Sequence, residues 1–150
     1  MKDLKEYIIY LDRLSEETRP LWGEMTAQHM LEHLIKAVQS SNGELIFDEC
    51  MNPEEKYPLL NRILLSKKVL PKHFVNTVIG KGLKPLKYKS LEEAKENLIL
   101  EINNFYKYFD IEENSKPMNV TFGPLGKEEW IVFHNKHFTH HFTQFGLIGE

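Results

Sequence analysis

SLEEAKENLILEINNFYKYFD, residues 90–110, reads as one long amphipathic helix. Ser90 with Glu93 three residues later has the form of a capping box, in which each side chain satisfies the other's free backbone N–H. Leu91, Ala94, Leu98, Ile102, Phe105 and Phe109 then recur at steps of three and four, the spacing that aligns side chains on one helical face. A stripe of that length has to be buried against other elements, so the rest of the chain should supply helices with matching apolar faces.

Three further segments do so. A first helix is expected from Asp3, with Glu6 completing a second capping box, to about Leu14. Thr26 is a good N-cap for a second, which Gly43 should end, with Met30, Leu34, Ala37 and Ser41 on its core face. The last follows FGPLG, places Glu128 and Glu129 in its first turn where the macrodipole favours negative charge, and stops at Gly146. The expected fold is all-α: a four-helix bundle with one long irregular crossover. That crossover, residues 44–89, is interrupted by Pro53, Pro58, Pro71, Gly80, Gly82 and Pro85, with a short helix expected around Tyr57 to Lys67.

Residues 1–150 read as a single domain, with no internal repeat or low-complexity tract; 41% of them are hydrophobic, enough for a full core. A net charge of −3, with both signs mixed, disfavours nucleic acid as the main partner. Lys81, Lys84, Lys87 and Lys89 form a local basic exception, most simply read as a solvated loop. The lone Cys50 excludes an internal disulfide, the N-terminal residues lack a signal-peptide apolar run, and no stretch reaches the roughly 20 apolar residues of a membrane span. A cytoplasmic protein without a membrane partner is expected.

Four of seven histidines fall in HNKHFTHH, residues 134–141. At about 100° per residue, and with Trp130 at zero, His134 falls near ~40°, His137 near ~340°, His141 near ~20° and Phe145 near ~60°. Lys136, Thr139 and Thr143 fall opposite, and His140, near ~280°, is turned to the edge. Three imidazoles thus share an apolar face, where a polar group without a partner costs about 1–3 kcal/mol. Metal coordination is one compensation, since His137 and His141, four apart, project from adjacent turns and can meet one ion at about 2.0–2.1 Å. A third ligand should come from the second helix. His33 flanks its core face, whereas His29 is turned roughly 40° further out, so His33 is the better candidate. The competing reading makes these ordinary core histidines satisfied by hydrogen bonds; Trp130, Phe138, Phe142 and Phe145 are read as core, and His73 is given no role.

The segments WGEMTAQHMLEHL (22–34) and FGPL…EEWIVFHNKHFTHHFTQFGL (122–147) resemble the DinB-like, or YfiT-like, superfamily of bacterial helical-bundle proteins, in particular a branch of unknown function. The resemblance is strong at both ends and loose in the middle. It implies a divalent-metal site made by one histidine of the second helix and a His-x-x-x-His pair of the last, which map onto His33, His137 and His141. Two departures stand out: NVTFG lacks the histidine that often precedes the Phe-Gly pair, and Gly126 occupies a position usually held by Thr or Ser.

A three-histidine site leaves a coordination position open, as in catalytic rather than structural sites. By resemblance, the expected activity is metal-dependent transfer of a low-molecular-weight thiol to a small electrophile, with hydrolysis of a small molecule as the second choice. Zinc or nickel is the expected ion, with iron also compatible. His134, one turn from His137, is the candidate for proton transfer, and Gln144 either orients a bound group or caps the helix end. A non-catalytic, metal-stabilised binding or dimerisation module is the alternative; a homodimer is compatible with a bundle, although no pairing face can be identified.

Overall fold

Leu91–Ile111 forms the longest helix, and its six stripe residues, Leu91 to Phe109, are all buried, as their spacing requires. In the computed structural model, which describes residues 1–149, about half the chain is helical. A 3₁₀ helix Leu4–Arg13 is followed by α1 (Ala27–Gln39), a 3₁₀ turn Glu54–Lys56 running into α2 (Tyr57–Leu65), α3 (Leu91–Ile111) and α4 (Lys127–Gln144). Between α3 and α4, β1 (Met118–Asn119) and β2 (Gly123–Pro124) pair antiparallel, a two-residue ladder around the turn that delivers the chain to α4. Helix α1 packs most extensively on α3; α4 lies against α1, α2 and the 3₁₀ helix. One core cluster, including Leu4, Met30, Leu34, Phe105, Trp130 and Phe142, joins them.

The helix ends differ in detail from their expected forms. Asp3 and Glu6 do make the reciprocal capping box, but the turns that follow are of the tighter 3₁₀ type. Ser90 accepts from the Glu93 N–H at 3.1 Å, whereas the Glu93 carboxylate accepts from Lys89 N instead of closing the box on Ser90. Helix α1 ends at Gln39, capped by Ser40, rather than at Gly43. Its buried face is broader than expected, taking in Leu31, Ile35 and Val38, while Ala37 is only half-buried. The reason is tertiary: α1 is covered by α3 on one side and α4 on another, so two stripes are buried where periodicity registers one.

The crossover is irregular apart from the 3₁₀ turn Glu54–Lys56 and α2, which ends at Leu65, and it is tied down by polar side chains. Glu32 on α1, 6% exposed, accepts from Lys87 N at 2.6 Å, from Tyr88 N at 3.3 Å and from Gln28 Nε2 at 2.9 Å. Asn76 donates to Val120 O and to Thr121 Oγ1, and Lys136 of α4 donates to the carbonyls of Ser66 and Lys68. A carboxylate accepting two backbone N–H groups forms charge-assisted bonds, roughly twice as strong as neutral ones, so Glu32 fixes where the strap rejoins the helices.

Candidate metal centre

The spacing His137–His141 along α4 sets two rings on adjacent turns, and α1 brings His33 to meet them. One ring nitrogen from each of the three lies within 4.8 Å of the others. The rings pack edge to face with centroids 4.8 Å apart in all three pairs, and the Nε2 atoms of His33 and His137 are 2.9 Å from each other. Nitrogens bound tetrahedrally to one ion at about 2.0–2.1 Å sit about 3.3–3.4 Å apart, so the His33–His137 pair would open by about 0.4 Å, and a pair at the 4.8 Å limit would close by about 1.4 Å, to admit a cation. The three histidines therefore lie close enough to hold a metal ion. Among the described residues, no Cys, Asp, Glu or fourth His joins them.

The orientation of His141 is fixed from outside. Gln144 donates its amide N–H to the carbonyl of Trp22 at 2.9 Å, which turns its Oε1 toward His141 Nδ1 at 2.7 Å. An amide oxygen only accepts, so His141 carries its proton on Nδ1 and presents a bare Nε2 to the cluster. This is the arrangement of a metal-ligating histidine held by an outer partner. Gln144 thus orients a ring and ties the end of α4 to the Trp22 loop; Phe145 rather than Gln144 occupies the C-cap. Gln144→Leu is expected to weaken zinc binding by about 10–100-fold, measured by competition with a chromophoric chelator.

Burial holds the cluster neutral. It pushes His33 down to about 4, helped by the nearby His140 and Lys36, and His141 down to about 3, helped by His33 and His140 against the opposing Gln144 hydrogen bond. His137 is lowered well below the usual imidazole value, by burial first and then by the charges His33 and His141 would carry. Neutral imidazole is the metal-binding form, so the donor set suits a borderline divalent ion. His137 Nδ1 is buried without a hydrogen-bond partner.

The remaining histidines fall outside the cluster. His134 is fully buried, stacked on Trp130 at 5.2 Å and edge-on to Phe105, and burial alone takes it down to about 3. The Ser41 hydroxyl donates to Val38 O, so it accepts from His134 Nε2 at 2.8 Å; His134 Nδ1 is the bare, unpartnered atom. His29 is spent locally, its Nδ1 2.7 Å from the Thr26 hydroxyl at the start of α1. His140 stands at the rim, edge-on to Trp22 and His141 and hydrogen-bonded to the backbone of Leu70. His73, in the strap, is exposed. Sequence reasoning missed Trp22 and Glu32, whose partners lie 122 and 55 residues away; no local pattern announces either.

Comparison with protein-family models, with curated proteins and with solved structures yields no match to this chain.

Proposed function

We infer that this protein is a divalent-metal enzyme of the DinB-like four-helix type, with His33, His137 and His141 as ligands and a small molecule as substrate. The observation that carries this reading is the convergence of three neutral imidazoles from two helices, one of them held in its binding tautomer by Gln144. The two terminal motifs that resemble the superfamily support it, and zinc or nickel suits the donor set best, with iron also compatible. An ion held there supplies a Lewis acid with a coordination position left for substrate.

Transfer of a low-molecular-weight thiol to a small electrophile is the favoured reaction, and hydrolysis the second choice. The protein's own residues bind and orient: the rings fix the ion, Gln144 fixes His141, and Trp22 with His140 borders the site. His134 remains the candidate for proton transfer through Nδ1, the atom its hydrogen bond to Ser41 leaves free. A cytoplasmic setting fits the free thiol of Cys50, and among the described residues no helix is long and apolar enough to cross a membrane. The alternative, a non-catalytic metal-stabilised module, is disfavoured by the three-ligand set, because structural sites are normally closed by four.

The test is conjugation of small thiols to a panel of electrophiles by the zinc- and nickel-loaded protein, beside the His141→Ala variant. Turnover lost in that variant supports the reading; turnover equal in both contradicts it. Metal affinity separates the two α1 histidines. His33→Ala should weaken zinc binding by more than about a hundredfold, beyond the range of an outer partner, while His29→Ala should change it by less than about threefold. Equal losses in the two titrations would show that the ligand on α1 is misassigned.

A further inference from the structure

The crossover strap carries a charge and an apolar surface that the metal site does not use. Between Tyr57 and Ser90 lie eight of the chain's 19 Lys and Arg and none of its 22 Asp and Glu, a net +8 against −11 for the rest. All eight cations are exposed. Among the described residues, nine of the fifteen exposed large hydrophobic side chains belong to the same strap, among them Leu65, Val69, Phe74, Val75, Leu83 and Leu86, with Val69 82% and Phe74 50% exposed. So many exposed apolar groups in one segment of the chain exceed the singly scattered hydrophobics of any protein exterior and supply the material of an interaction surface.

The backbone beneath this surface is anchored. Lys136 holds Ser66 and Lys68, Asn76 holds the β1–β2 turn, and Glu32 holds Lys87 and Tyr88. The apolar side chains therefore face outward from a fixed support, while Leu64 and Asn76 turn in.

We propose that the strap, residues 57–89, docks the protein peripherally on an anionic lipid surface. Apolar side chains interleaved with cations are the composition of an interfacial segment: the apolar groups enter the headgroup–acyl boundary and the cations pair with anionic headgroups. A nucleic acid would use the cations but leave the aliphatic side chains in water. The lysines alone read as a solvated loop; the exposure of nine large apolar side chains in the same segment is what the fold adds. The strap also crosses α4 at Lys136 and reaches His140 through Leu70, so docking would bring the rim of the three-histidine cluster to the membrane surface.

Co-sedimentation of the full-length protein with vesicles tests this. Vesicles of phosphatidylcholine and phosphatidylglycerol in equal parts should bind it, vesicles of phosphatidylcholine alone should not, and raised salt should weaken binding while a chelator leaves it unchanged. Each cation near an anionic leaflet strengthens binding about fivefold, so the triple variant Lys67→Glu, Lys81→Glu, Lys84→Glu should lose at least about a hundredfold. None of these three is ion-paired among the described residues, and melting curves equal to wild type would confirm an intact fold. Phe74→Ser with Leu83→Ser, also exposed, should weaken binding independently by about tenfold or more. Equal binding to both vesicle types, binding to neither, full binding by the triple variant, or tighter binding to a DNA duplex than to the anionic vesicles would overturn the proposal.

Discussion

Acidification of the metal-free protein should unfold it steeply between about pH 5.5 and 4. Burial depresses the proton affinity of four rings, taking His33 to about 4, His134 and His141 to about 3, and His137 also well down. In the unfolded chain these rings titrate near the ordinary value of about 6.5. Below that pH the unfolded state binds protons that the native state refuses. The stability the neutral rings confer is therefore whole above about 6.5 and is lost as pH falls toward the depressed native values. Each ring contributes about 1.4 kcal/mol per pH unit once well below 6.5, so four remove about 5 kcal/mol per unit, against a typical total of about 5–15 kcal/mol. Helical ellipticity followed against pH in chelator should show this transition, with uptake of about four protons. A signal flat from pH 7 to 4 would show that the rings are not buried as described.

Zinc should raise the melting temperature by about 5–10 °C, and His141→Ala should abolish the shift. Metal that binds only the folded state stabilises it by about 2.7 kcal/mol at a hundred times its dissociation constant, and about 1 kcal/mol moves the midpoint of a chain this size by about 2–4 °C. The variant keeps its aromatic core, because Trp130, Phe138 and Phe142 are buried independently of the cluster, so its own melt remains measurable. Since free ring titration in the native state begins only near the lowered values, bound metal should leave as the fold opens rather than near pH 6.5. Melting curves of both proteins with zinc and with chelator check this; equal shifts in the two would remove His141 from the site.

What the sequence discloses is governed by whether the cause is local. Helix α3 was readable because its stripe and its N-cap both follow from residues within a turn or two. The histidine cluster was readable for the same reason, since angular position on α4 and α1 follows from 3.6 residues per turn, and it separated His33 from His29 by about 40°. The 3₁₀ geometry of Leu4–Arg13 was not, because its capping box serves either kind of helix. Nor was the second buried stripe of α1, which depends on α3 and α4 flanking it together. The Glu32 clamp, the Gln144 bridge to Trp22 and the Ser41 contact of His134 join residues 55, 122 and 93 positions apart, and nothing near them in the chain marks them. The path of the strap depends on the first of these, which is why its lysines were legible as a charge run and its outward apolar surface was not.

X-ray absorption at the zinc edge of the protein loaded with one equivalent of zinc tests the central claim most directly. Three imidazoles should give nitrogen scatterers at about 2.0–2.1 Å with the outer-ring scattering of histidine, and a remaining position filled by a light atom. A shell dominated by oxygen without imidazole signals, or a sulfur scatterer at about 2.3 Å from Cys50, would contradict the assignment of His33, His137 and His141 as the metal site.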